Sequence, residues 1–134
     1  MSPWFYEVKI RESHLDTFGH VNNATYLSLY EEARWELVTL NGYGLKQVRE
    51  KGQGPVILET TVKFLHEIGL REKIKITMET TEIKGKIMRL KQRMHKEDGQ
   101  IASEAEFVFG LFDLKTRKLI PPTPEWLKAI GAQA

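Results

Sequence analysis

The stretch His14–Arg34, HLDTFGHVNNATYLSLYEEAR, decides how this chain is read. Seven of its first ten residues are His, Asp, Thr, Gly or Asn, and they stand directly before the strongest helix pattern in the sequence. Tyr26, Tyr30, Ala33, Leu37 and Leu40 recur at spacings of four, three, four and three, which predicts one buried face of a helix over 24–40. Asn22 or Asn23 can cap its start, because a side-chain carbonyl there accepts from an otherwise unpaired helical N–H. Asn41-Gly42 supplies the stop.

A helix start offers unpaired N–H groups and the positive end of the helix dipole. Both suit a carbonyl oxygen that gains negative charge during a reaction. The Asp16 carboxylate, held beside such a carbonyl, can serve as nucleophile or as general base toward water. Gly19 lets the backbone turn and approach a ligand closely. The residues by themselves equally allow Asp16 to make no more than a loop turn, and the asparagines to do no more than cap.

Outward from this stretch the pattern changes to period two. Trp4, Tyr6, Val8 and Ile10 alternate with Phe5, Glu7 and Lys9, a half-buried strand, and a polar loop runs from Arg11 to about Asn23. Strands are expected over 56–66 and 73–84, then over a run in which Met88, Leu90 and Met94 oppose Arg89, Lys91 and Arg93. Asp98-Gly99 is a hairpin signal leading into a strand with Ile101, Ala105, Phe107 and Phe109 on one face. A short terminal helix follows, with Thr123 as cap and Pro124 at its first position. The order strand, long helix, four antiparallel strands, short helix is an α+β layer arrangement. An open sheet leaves an edge strand that tends to pair with a second chain, which points to a homodimer.

Composition narrows the function. The 134 residues suit a single domain, 1–134, with one core, and the formal charge of +2 gives no electrostatic case for nucleic acid. With no cysteine there is no disulfide framework, thiolate zinc site or Cys nucleophile. No apolar run reaches the roughly 20 residues of a membrane span, so no membrane insertion is expected, and the alternating, charged start is unlike a signal peptide; a cytoplasmic protein is the default expectation. There is no G-x-S-x-G elbow, Walker loop or G-x-G-x-x-G. His14, Asp16 and His20 match no standard metal-ligand spacing, so no metal is expected.

The run D-T-F-G-H-V-N-N-A-T-Y followed by LSLYEEARW closely resembles the 4-hydroxybenzoyl-CoA thioesterase family of the hotdog fold. Within it, the chain is most similar to acyl-CoA thioesterases of the H-L-D…H-V-N-N-x-x-Y-L…E-E-A-R-W form. The likeness extends over nearly the whole chain, through a middle VILETTVKF strand to a late FVFGLFDLKTRK strand. It implies a long central helix wrapped by a curled antiparallel sheet. It also implies hydrolysis of acyl-CoA, fatty rather than aromatic, to the free acid and coenzyme A, with no cofactor. Asp16 takes the place of the family's essential carboxylate, and the backbone N–H at Asn23 that of the group polarising the thioester carbonyl. Tyr26 would wall the acyl site, and Glu59 would face it from a strand across a dimer.

His20 would orient Asp16 or a water, or simply be held by its loop. Lys63, Arg71, Lys84, Lys86, Arg89 and Arg93 are candidates for pairing the coenzyme phosphates, with nothing in the sequence to choose among them. His66 and His95 are expected on a strand surface or edge without function, while Tyr30, Trp35 and Phe64 would help set acyl length. Two departures stand out: Asn23 where one branch has His, and Ile68 where relatives often have Pro-Ala. Relatives assemble as dimers or tetramers, so a homodimer or homotetramer is implied. A non-catalytic acyl-CoA or lipid-binding module is the alternative, since fold alone does not settle function. A hydroxyacyl dehydratase would need a His and carboxylate pattern that this chain lacks.

Overall fold

The computed structural model describes residues 4–132. Strand β1 (Phe5–Lys9) is followed by a single 3-10 turn at Glu12–His14 and by helix α1 (Asn23–Leu40). A second helix, α2 (Leu45–Lys51), leads into strands β2 (Gln53–Phe64), β3 (Lys73–Lys84), β4 (Ile87–His95) and β5 (Ile101–Asp113). A three-residue strand β6 (Lys118–Ile120) and helix α3 (Pro124–Ala129) complete the order.

The sheet runs β1-β3-β4-β5-β2, with β6 paired to β5, and every pairing is antiparallel. It wraps α1, which is the hotdog arrangement. The alternation in β4 is complete: Met88, Leu90, Gln92 and Met94 are buried and their neighbours face outward. On β5 the buried Ala105, Phe107 and Phe109 lie under the helix residues Tyr26, Leu29, Tyr30 and Ala33, which join one apolar cluster. Burying each large side chain of this kind contributes about 1.5–3 kcal/mol.

Polar groups inside that layer are paired. The Tyr30 hydroxyl donates to Ser103 Oγ at 2.7 Å, and Gln92 Nε2 donates to the Tyr30 carbonyl at 3.1 Å. Arg34 Nη1 in turn donates to Gln92 Oε1 at 3.0 Å. Gln92 and Ser103 are both fully buried, so each needs these partners.

Helix α1 is capped by Asn22, not Asn23: the Asn22 side-chain oxygen accepts from Ala24 N–H at 3.1 Å. At the far end Gly42, with φ +93°, takes the left-handed conformation that ends the helix. Leu40 does not lie on the buried face as its spacing predicts; it is 70% exposed. It is the last helical residue, where the chain turns off the sheet, and Val38 is buried near that end instead.

Three further differences are local. Helix α2 fits between Gly44 and Gly52 in a span the periodicity leaves unassigned, too short for its pattern to stand out. The late FVFGLFDLKTRK segment is not one strand, because β5 stops at Asp113, whose Oδ2 accepts from the Thr116 hydroxyl across the turn into β6. The second strand begins at Gln53 and ends at Phe64, leaving His66 outside it. No helix among the described residues is long and apolar enough to cross a membrane.

Two stability measurements check this packing. Tyr30→Phe removes the donor to buried Ser103 and should cost about 1–3 kcal/mol in urea unfolding; an unchanged midpoint would show that the hydroxyl pair contributes nothing. Asn22→Ala should lose about 1 kcal/mol while Asn23→Ala loses little, and the reverse ranking would move the cap to Asn23.

Candidate active site

The loop before α1 is closed by main-chain bonds that bring its two ends together. Asp16 N–H donates to the His20 carbonyl at 2.8 Å, Gly19 N–H to the Asp16 carbonyl at 3.1 Å, and Asn22 N–H to the His14 carbonyl at 2.9 Å. Val21 N–H donates to the Ile68 carbonyl at 3.0 Å, tying the loop to the β2–β3 connection. Gly19 closes the turn with φ +85°, a conformation costly for a residue bearing a Cβ.

Inside this loop the Asp16 carboxylate is held by one oxygen. Oδ1 accepts from Phe18 N–H at 2.9 Å and from His20 N–H at 3.3 Å. Oδ2 has no hydrogen-bond partner among the described residues. The Asp16 side chain therefore makes the loop turn through one oxygen, while the other has no partner among the described residues.

The helix start supplies the second group. Ala24 N–H goes to the Asn22 cap and Thr25 N–H to the Asn22 carbonyl at 2.9 Å. For the Asn23 N–H, the first of the helix, no acceptor is found among the described residues. Asn23 and Asp16 line the same pocket, of about 340 Å3.

His20 and Tyr26 also face this pocket, opposite Phe64, Leu65, His66 and Glu67. The Tyr26 and Phe64 rings meet edge to face at 4.9 Å between centroids. Burial pushes the Tyr26 phenol above its ordinary pKa, and the negative charges of Asp16, Glu67 and Glu72 push it further, so it remains a neutral donor at neutral pH. His20 Nε2 pairs with the Glu67 carboxylate. His14 is turned away into its own 3-10 turn, where Nδ1 accepts from Arg11 N–H at 2.9 Å. Among the described residues no three His, Asp or Glu side chains gather as a metal site would require.

Of the far wall, sequence reasoning named Phe64 but missed Leu65, His66 and Glu67. His66, expected on a strand surface without function, instead lines the pocket. The N–H groups of Leu65 and His66 both donate to the Ala102 carbonyl, at 2.9 and 3.1 Å, which breaks the strand's alternation and turns the segment toward α1. Gly69, close behind the alternating run, is the sequence sign of that stop.

Three expected substrate-binding residues do not line the pocket in this chain: Gly19, which serves the turn, and Lys63 and Glu59 on β2. Lys63 falls on the outer face of β2, opposite Glu104, because Phe64 and Val62 take the inner positions. Glu59 is exposed on that same outer face, shifted by the irregularity between Ile57 and Glu59. Several other basic candidates are engaged with acids: Arg71 with Glu12 at 2.9 Å, Arg89 with Glu106 at 3.3 Å, and Arg93 with Glu104 at 3.5 Å. Lys84 and Lys86 are exposed at the β3–β4 turn, away from the pocket.

Comparison with known proteins places the family and the fold. Residues 10–130 match the model of the thioesterase-like superfamily. The long-chain acyl-CoA thioesterase FadM of Escherichia coli is 31% identical over 115 residues, covering 85% of this chain and 86% of that protein. Among solved structures, the probable thioesterase YbaW from Escherichia coli superposes with a TM-score of 0.84 at 28% identity, covering 94% of this chain and 97% of that one. SAV2348 from Staphylococcus aureus, solved in complex with CoA, shares the fold with a TM-score of 0.88 at 20% identity, over 98% of this chain and 84% of that one. With a family match over nearly its full length and the motif loop folded against the start of its central helix, this chain belongs to the thioesterase-like superfamily.

Proposed function

We propose that the protein hydrolyses fatty acyl-CoA thioesters to the free acid and coenzyme A. One observation carries the proposal: the free oxygen of Asp16 and the unclaimed N–H of Asn23 belong to groups lining one pocket. The family membership and the long-chain acyl-CoA activity named for the FadM relative support the substrate class.

The chemistry follows from the two groups. The thioester carbonyl oxygen accepts from Asn23 N–H, where the helix dipole favours the negative charge of a tetrahedral intermediate. Asp16 Oδ2 then attacks the carbonyl carbon, the C–S bond breaks, and coenzyme A leaves as thiolate. Water hydrolyses the resulting mixed anhydride, restoring the carboxylate and releasing the acid. In the alternative route Asp16 takes a proton from water as that water attacks the same carbon, and the proton passes to the departing sulfur. Both routes use the same two groups and need no cofactor. Tyr26 and Phe64 supply an apolar wall, and His20, paired with Glu67, closes the loop side.

The working form in this proposal is a homodimer built on β2. That strand lies at the sheet edge, twelve residues long, and exposes Ile57 at 39%, Leu58 at 47% and Phe64 at 55%. A long apolar edge of this kind is covered in stable proteins, and a second copy pairs with it isologously.

Asp16→Asn and Asp16→Ala should fold normally and lose about 100-fold or more in thiol release from a panel of acyl-CoAs. Wild-type rates in both variants would remove Asp16 from the mechanism, and acyl-CoA binding by the wild-type protein without thiol release would make it a binding module. Sedimentation equilibrium should give at least twice the 15.5 kDa chain mass, and a monomer at micromolar concentration would contradict the β2 edge as an interface.

A further inference from the structure

The far wall of the Asp16 pocket, Phe64 to Glu67, runs off the end of β2 into the connection to β3, which belongs to no helix or strand. Main-chain bonds pin the two ends of this connection. Leu65 and His66 N–H share the Ala102 carbonyl at one end. At the other, Arg71 N–H donates to the Ile10 carbonyl and Ile10 N–H to the Glu72 carbonyl, both at 2.9 Å. The fully buried Ile68 side chain anchors the middle in the core. Glu67, just before it, makes no main-chain to main-chain bond among the described residues.

A side chain from elsewhere in the fold holds that residue. Lys96 stands at the turn from β4 into β5, where its main-chain N–H donates to the Gln100 carbonyl at 2.8 Å. Its Nζ donates to the Glu67 carbonyl at 2.8 Å and lies 3.3 Å from Glu72 Oε1. The other oxygen of Glu72 accepts from Gly69 N–H at 2.6 Å. One lysine and one glutamate thus hold the connection on both sides of Ile68. The Lys96 side chain is 16% exposed, the least of any cation in an ion pair among the described residues. A pair withdrawn from solvent is screened less than a surface pair, and hydrogen bonds from a charged donor are about twice as strong as neutral ones.

The segment held in this way meets the Asp16 loop at two points. The Ile68 carbonyl accepts from Val21 N–H at 3.0 Å, and the Glu67 carboxylate pairs with His20 Nε2. A shift of the segment therefore changes the gap between the two walls of the pocket. Asp16 and the start of α1 are fixed by bonds within their own loop, so they do not depend on that gap. Lys96 itself lines no part of the Asp16 pocket. Its effect on a ligand there runs through the main chain of Glu67 and Gly69.

Resting on the proposed hydrolase activity, we propose that Lys96 is a positioning residue for substrate binding: with Glu72 it fixes the Glu67–Gly69 main chain and so sets the width of the pocket that receives the thioester. The wall it holds touches the substrate before and during reaction alike, while the reacting carbonyl is handled by Asp16 and Asn23 on the opposite side. An interaction made equally in the ground state and the transition state appears in KM and not in kcat.

The test measures kcat and KM of the full chain with the fastest ester of the acyl-CoA panel, in the wild type and in Lys96→Met, Lys96→Arg and Glu72→Gln, with urea midpoints to show that each is folded. Lys96→Met should raise KM about tenfold with kcat held within about twofold, and Glu72→Gln should raise KM in the same direction by about threefold or more. Lys96→Arg, which keeps a charged donor, should recover most of the loss. Amide exchange reads the same contact without turnover: Gly69 and Val21 N–H should exchange faster in Lys96→Met, while Asp16 N–H keeps its wild-type rate. An unchanged KM in Lys96→Met and Glu72→Gln, with an active wild type, overturns the positioning role and leaves the hydrolase intact. A loss confined to kcat, or an equal loss in Lys96→Arg and Lys96→Met, overturns it as well. A wild-type protein that hydrolyses no ester of the panel overturns both proposals.

Discussion

The arrangement depends on one oxygen atom, Asp16 Oδ1, which accepts from the N–H groups of Phe18 and His20. Those two bonds fix the rotamer of a short side chain and close the polar loop around it. The loop in turn presents Asn22 at the position where its side chain caps α1. Asn22 takes Ala24 N–H, and Asn23 N–H, at the helix start, has no acceptor among the described residues. A carboxylate anchored by one oxygen and a helix donor left free are thus two consequences of the same turn, and the catalytic proposal needs no further strain or rearrangement.

The sheet gives this site a rigid support. Tyr30, Gln92, Ser103 and Arg34 form a paired polar chain beneath α1, one turn beyond Tyr26. A helix resting on apolar contacts alone could slide or roll; a buried chain with directional bonds resists both. Trp126, on α3, is buried in the same core with an indole N–H that has no partner among the described residues. Farther along the α1–β2 seam lies a second, mostly apolar cavity of about 90 Å3, walled by Trp35, Val38, Met78, Leu90, Phe109 and Trp126.

Much of the fold was legible from residue spacing because its elements are long. The 18 residues of α1 and the alternating runs of β3, β4 and β5 repeat often enough for their periods to show. Helix α2 and strand β6 were not legible, being held by neighbouring chain rather than by any pattern of their own. At the site, Asp16, Asn23 and Tyr26 stand within one contiguous motif, and local geometry is enough to bring them together. His66 and Glu67 reach the pocket only through tertiary pairing, with two N–H groups sharing the Ala102 carbonyl, and no local signal in the motif encodes that. Glu59 and Lys63 show the converse: their strand was identified, but a bulge decides which face each residue takes.

The most direct measurement of the central claim is infrared spectroscopy of an acyl-CoA labelled with 13C at the thioester carbonyl, bound to Asp16→Asn so that it is not consumed. If Asn23 N–H receives that oxygen at the positive end of α1, the carbonyl stretch shifts below its frequency in water. A bound thioester whose carbonyl frequency is unchanged or raised would contradict the account.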